Sequence, residues 1–196
     1  AQVPTVAALA NMALGGGLEM ALYCSRRVAH LESYVGLVEV GVGLVPAGGG
    51  LAYGARRAAE ERAFAPDANL LDFLKKYFMA AGTALYAAIR EVKAMSDAGW
   101  RPPRQAVFPV CGRDGVATIL AQLVNMREGG FVSEHDMLLG RYIAEAMCGG
   151  DVEPGSMVDE RWVMALERKA FVALLKHPKT QERIMGMMST GKPVRN

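Results

Sequence analysis

The sequence predicts an α/β layered fold that gives way to a helical C-terminal half, and three observations carry that prediction. Residues 1–50 hold only five charged side chains, Glu19, Arg26, Arg27, Glu32 and Glu39. Ten of the 22 glycines lie between Gly15 and Gly54, so this apolar opening is cut into short pieces. From Asp67 onward the composition changes to charged segments with helical periodicity. Short elements of strand, helix, strand and helix in quick succession build layers of helix on sheet, whereas long amphipathic segments build helix on helix.

Val3–Leu9 reads as a buried strand, an apolar run of Val, Ala and Thr. Gly15-Gly16-Gly17 breaks the chain, and Leu18–Cys24 has the composition of a short buried helix. Arg27–His30 and Ser33–Leu37 follow as two short strands around a turn at Leu31-Glu32. A second glycine break, Gly48-Gly49-Gly50, precedes a helix over Leu51–Phe64. Further helices are predicted at Leu70–Ala81, Ala84–Ala98, Val116–Arg127, Glu134–Met147, Val158–Lys176 and Lys179–Met188. Ser133-x-x-Asp136 and Ser156-x-x-Asp159 resemble capping boxes with Asp in place of Glu. Gly129-Gly130 and Gly149-Gly150 stand where helices end. Trp162, Leu166, Ala170 and Leu174 are read as one apolar face of the longest helix, packed on its neighbours. Two regions are expected, 1–66 and 67–196, with a linker near 99–106 around Trp100-Arg101-Pro102-Pro103.

Several function classes are disfavoured by composition. Twenty-two Lys and Arg against 20 Asp and Glu leave a net charge of +2, with no broad attraction for nucleic acid or an anionic membrane. The window Thr5–Cys24 is the most membrane-like, but Asn11, Glu19 and the glycine triplet speak against a spanning helix, and no basic cluster marks a signal peptide. Cys24, Cys111 and Cys148 are an odd number without C-x-x-C spacing, which fits reduced thiols in the cytoplasm better than a disulfide framework or a zinc site. Neither G-x-G-x-x-G nor G-x-x-x-x-G-K-[ST] occurs, and G-x-S-x-G is absent. His30, His135 and His177 read as surface or capping residues, and the twelve methionines as adaptable packing.

The residues with chemical content are Gly16, Glu19 and Glu39. Glycines ahead of a helix permit positive φ and a close approach to the backbone, and the first N–H groups of that helix have no partners within it. Such a turn fits either close packing of helix on sheet or the binding of a partial negative charge, a phosphate or an oxyanion. Glu19 in the first helical turn is favourably placed in the helix dipole, which by itself explains a carboxylate there. Glu39 interrupts the otherwise uncharged run Tyr34–Tyr53, where a buried carboxylate needs a partner, a proton or a function. Glu32, in a turn, is explained by solvent.

Taken together, VPTVAALANMALGGGLEMALYCSRRVAH followed by YVGLVEVGVGLVPAGGG resembles the signature of the crotonase superfamily, the enoyl-CoA hydratases and isomerases. The match covers about the first 55 residues. Val38 ahead of Glu39, the RPP linker, NMREGGFVSEHD and the closing WVMALERKAFVALLKHPKTQERIMGMMSTGKPVRN resemble the C-terminal part of proteins that fuse a 3-hydroxyacyl-CoA dehydrogenase to an enoyl-CoA hydratase. The resemblance implies a partial ββα spiral fold over 1–66 and a helical extension over 67–196. It implies an acyl-CoA thioester substrate, hydration of a 2-enoyl-CoA in fatty acid β-oxidation, Glu19 and Glu39 as the two catalytic carboxylates, and the Gly16 N–H as half of an oxyanion hole. It further implies no cofactor in this segment, NAD in an upstream dehydrogenase part, and homo-oligomers or a thiolase as partner. A catalytically inactive structural or assembly module and an enoyl-CoA isomerase are the alternatives. The family's strand carrying the second oxyanion N–H has no counterpart, Ser25 stands where Asp is usual, and Ala47 where Gly is common.

Overall fold

A computed structural model describes residues 3–30, 32–64, 78–79 and 84–196. It is a mixed helix and sheet structure that divides into two compact units, residues 1–37 with 64–104, and residues 38–63 with 105–196. The units therefore interleave along the chain. The helix predicted over Leu70–Ala81 lies outside the described residues except at Phe78–Met79, which form a strand.

The first unit opens with strand β1 (Val6–Leu9), strand β2 (Met12–Leu14) and helix α1 (Gly16–Leu22). Strands β3 (Arg26–His30) and β4 (Tyr34–Gly36) follow. β1 pairs in parallel with β3, from Val6 opposite Arg26 to Leu9 opposite Ala29, and β2 pairs in parallel with β4, from Met12 opposite Tyr34 to Leu14 opposite Gly36. β1 and β3 thus belong to one sheet and β2 and β4 to a second, and α1 lies in the crossover that parallel pairing requires. β5 (Phe78–Met79) extends the first sheet on β3, and α3 (Ala84–Asp97) packs against β1 and β3. β2 was not predicted as a strand, because its three residues between Asn11 and Gly15 are too short for a periodicity.

Polar side chains tie the strand ends together. The Thr5 N–H donates to Ser25 Oγ (3.2 Å), and the Ser25 N–H donates back to Thr5 Oγ1 (3.1 Å). Ser33 Oγ donates to the Leu9 carbonyl at 2.6 Å. Glu32 is exposed in its turn, where its N–H donates to His30 Nδ1 at 3.2 Å.

The second unit holds a 3-10 turn (Glu39–Val42), α2 (Gly50–Phe64), β6 (Val107–Pro109), α4 (Gly112–Glu128) and α5 (Glu134–Met147). It ends with β7 (Met157–Asp159), α6 (Glu160–Leu175) and α7 (Pro178–Thr190). Leu44, Val45 and Leu51 are buried with Leu139, Ala146, Ala170 and Leu174, while Ala52 and Ala55 share a second core with Phe108, Val110, Val158 and Val163. The residues just after Glu39 are thereby packed into the helical tail.

Two tail expectations need correction. The capping box at Ser133 and Asp136 forms with both reciprocal bonds, but Ser156-x-x-Asp159 does not cap a helix. Met157–Asp159 pair antiparallel with β6 instead, and Asp159 itself is the cap, accepting from the Trp162 N–H at 2.8 Å. The buried face of α6 is Val163, Glu167, Ala170 and Leu174, whereas Trp162 is half exposed and donates through Nε1 to the Gly149 carbonyl at 2.9 Å. At 3.6 residues per turn, a strict four-residue step rotates Trp162 roughly 120° from Leu174, while Val163 stays within about 20° of it.

Candidate functional site

In the first unit, the ladder of β2 on β4 runs into the glycine triplet, where the Gly15 N–H donates to the Gly36 carbonyl at 2.8 Å. Gly15 then turns the chain at φ 55, a left-handed value that a side chain would resist, and α1 begins at Gly16. The N–H groups of Gly16 and the next residues have no partner within the helix. Glu19 is only 5% exposed, and its Oε2 lies 3.9 Å from where a β-carbon on Gly16 would stand. The structure therefore brings Gly16 and Glu19 together, a backbone donor edge beside a buried carboxylate.

The other end of α1 is held by Arg27. Its Nη1 donates to the carbonyls of Leu22 (2.7 Å) and Cys24 (3.2 Å), with Ala21 at 3.5 Å. A cation on the last carbonyls complements the helix dipole, just as the Glu19 carboxylate does at the first turn. Two of the few charges in residues 1–50 are thus accounted for by one short helix.

Glu39 belongs to the second unit and is half-buried. It opens the 3-10 turn, and its carbonyl accepts from the Leu44 N–H at 3.0 Å. The turn ends at Gly43, whose φ of 77 and close neighbours leave little room for a β-carbon: Thr180 Cα would lie at 3.0 Å and His135 Nε2 at 3.1 Å.

The tail supplies groups that sequence reasoning missed. Thr180 Oγ1 donates to the Gly43 carbonyl at 2.7 Å and meets His135 Nε2 at 2.9 Å. His135, expected at the surface, is 2% exposed and stacks on His177 with ring centroids 4.6 Å apart. Burial, reinforced by Arg183, His177 and Lys179, pushes its pKa down to about 4 against the pull of Asp136. His177 is a helix cap as expected, its Nδ1 accepting from the Lys179 N–H. Glu167 is fully buried on α6 and accepts from the Ala52 N–H at 3.2 Å, so a tail carboxylate serves the first turn of the helix after the second glycine break. The signal for Glu167 was available, since it falls in register with the buried arc Val163, Ala170 and Leu174; the misplaced phase at Trp162 hid it. No sequence pattern marks Thr180 or Arg183.

Arg113, Val116, Leu120, Tyr142, Leu166 and Lys169 line part of a groove of about 740 Å³ in the tail, which includes none of Gly16, Glu19 and Glu39. Among the described residues no cluster of three His, Cys, Asp or Glu could hold a metal ion, and no helix is long and apolar enough to cross a membrane. No G-x-G-x-x-G is present to cradle a dinucleotide.

No family model matches the chain. The chain is 35% identical over 216 aligned residues to a probable 3-hydroxyacyl-CoA dehydrogenase of Bacillus subtilis, a match that covers 98% of this chain and 27% of that protein. The chain thus spans about a quarter of the length of that relative. It is 54% identical over 48 residues to the mitochondrial methylglutaconyl-CoA hydratase of Mus musculus, covering 24% of this chain and 15% of the hydratase. It is also 60% identical over 43 residues to the human peroxisomal bifunctional enzyme, covering 22% of this chain and 6% of that protein. The chain is a relative of enzymes named for a hydroxyacyl-CoA dehydrogenase and for CoA hydratases.

Proposed function

We propose that the chain contributes to the hydration of a 2-enoyl-CoA to a 3-hydroxyacyl-CoA, as the C-terminal hydratase part of a fused hydratase and 3-hydroxyacyl-CoA dehydrogenase of fatty acid β-oxidation in the cytoplasm. The observation that carries this reading is the pairing of Gly16 and Glu19: the first backbone N–H of a helix beside a carboxylate 5% exposed. The succession β1, β2, α1, β3, β4, with parallel pairs between successive copies, supports a ββα spiral of the crotonase kind. The region 1–66 is the partial hydratase core in this reading, and 67–196 the helical extension.

In the reaction, the thioester carbonyl accepts from the Gly16 N–H, and the developing enolate oxygen is held there. Glu19 and Glu39 divide the proton work. One takes a proton from water as its oxygen bonds to the β-carbon, and the other delivers a proton to the α-carbon, so that water adds across the double bond with no net change in either carboxylate after exchange with solvent. Two carboxylates favour hydration over isomerisation, for which the family's second Glu suffices. NAD would serve the dehydrogenase part of the fused protein, and this chain carries no G-x-G-x-x-G motif for it.

The test is turnover of crotonyl-CoA by the whole natural protein and by its Glu19→Gln and Glu39→Gln variants. General acid–base groups contribute about 10² to 10⁴ in rate, so each variant loses activity by that order. Undiminished turnover in both rejects the assignment, and an active wild type with dead variants rejects an inert assembly module.

A further inference from the structure

The last helix reaches back to the turn that carries Glu39, and its contacts are to backbone. Thr180 Oγ1 donates to the Gly43 carbonyl at 2.7 Å. A hydroxyl has one proton, so His135 Nε2, at 2.9 Å from the same oxygen, is the donor of that second contact. The His135 Nδ1 is buried with no hydrogen-bond partner, which suits the lone pair of a neutral ring and would strand the second N–H of a charged one. Arg183 completes the arrangement. It is 2% exposed, pairs with Asp136 at 2.8 Å, and directs Nη1 to the Val40 carbonyl at 3.4 Å. Its other contacts, to Ser133 Oγ at 3.3 Å and to the side-chain and main-chain oxygens of Asn196 at 2.9 and 3.4 Å, hold the guanidinium in place.

The two carbonyls gripped from the tail are Val40, the second residue of the 3-10 turn that Glu39 opens, and Gly43, which ends it. Gly43 is closely packed, because Thr180 and His135 crowd the space a β-carbon would need. The turn's own bonds are to backbone, among them Gly41 N–H to Val38, Gly43 N–H to Val40 and Glu39, and Leu44 N–H to Glu39, and no side chain caps its start. Buried polar groups are costly to leave unsatisfied, so a buried Arg and a buried His that converge on one turn represent stability committed to its geometry.

We infer that Thr180, His135 and Arg183 are positioning residues for Glu39: the tail helix sets the backbone of its turn and thereby where its carboxylate stands. This inference rests on the proposed catalytic role of Glu39. A carboxylate displaced by about 1 Å loses on the order of 10- to 100-fold in rate, which is the expected effect on kcat.

The test uses Thr180→Val, which is nearly isosteric but has no hydroxyl, Thr180→Ser, which restores it, and Arg183→Lys, which keeps the charge beside Asp136. All are made in the whole natural protein, with Glu39→Gln as reference. Amide hydrogen exchange is measured at Gly41, Gly43 and Leu44, and hydration of crotonyl-CoA is measured as kcat and KM separately. The expected result is faster exchange at these amides in Thr180→Val and Arg183→Lys, kcat lowered about 10- to 100-fold with KM little changed, and recovery of both in Thr180→Ser. Unchanged exchange in Thr180→Val overturns the inference, as does faster exchange with unchanged kcat while Glu39→Gln is impaired. If Glu39→Gln itself hydrates normally, the catalytic reading of Glu39 fails instead, and the positioning role falls with it.

Discussion

The clearest quantitative consequence of the tail's buried network is a pH-dependent stability that one residue controls. His135 is 2% exposed, and its pKa is pushed from 6.5 to about 4, first by burial and then by Arg183, His177 and Lys179. Below its ordinary pKa the unfolded chain binds a proton that the folded chain declines. Stability is therefore complete above about pH 7, falls as the pH drops through 6.5, and stops falling once the folded ring titrates near 4. Integrated over that window the loss is roughly 3 kcal/mol, of which about 2 kcal/mol has appeared at about pH 5. Asp136 acts in the same direction but lower down. Burial opposes its ionisation, yet bonds from Ser133 and the Arg183 guanidinium hold it below 3.8, so its contribution is lost only under more acid conditions. Urea unfolding of the wild type and of His135→Gln, which keeps an N–H donor for Thr180, is compared between about pH 7.5 and about pH 5. The wild type loses about 2 kcal/mol more than the variant across this range. Equal slopes for the two proteins, or a His135 ring that titrates near 6.5 by NMR, refute the buried neutral ring.

Three further outcomes follow from local geometry. Glu167→Leu removes the acceptor of the Ala52 N–H from a fully buried site, and costs about 1–3 kcal/mol in chemical denaturation. Gly112→Ala places a β-carbon 2.3 Å from the Val152 carbonyl oxygen at a φ of 58, a clash with backbone that cannot swing aside; its loss exceeds the roughly 1–2 kcal/mol of a left-handed conformation alone and is read as a lowered Tm. Ser133→Ala breaks the capping box and one contact of Arg183, and lowers the unfolding free energy by about 1 kcal/mol.

Among the opening fifty residues, β1, the turn at Gly15 and α1 were legible because local rules and tertiary structure agree there, whereas the three-residue β2 was not. Glycines mark the turn at Gly15, a dipole-compatible carboxylate marks the start of α1, and an apolar run with Val marks β1. What stayed hidden is what depends on partners distant in sequence. β7 is a strand because Val158 pairs with Phe108, not because three residues after Ser156 look extended, and the same residues read alone suggest a helix start. His135 carries no mark of burial, since its partners arrive from Gly43 and Thr180, which are separated from it by long stretches of chain. Glu167 is the instructive case between these. Its phase on α6 places it among Val163, Ala170 and Leu174, and a carboxylate in an apolar arc demands a donor just as Glu39 did in its apolar run. The demand is met by the Ala52 N–H in α2, beyond the second glycine break. A buried charge on an otherwise apolar face is thus readable as a demand for a partner even when the partner is not. Glu167 accepts from backbone across the fold, while at Glu39 it is the backbone of the turn, at Val40 and Gly43, that accepts from Arg183 and Thr180.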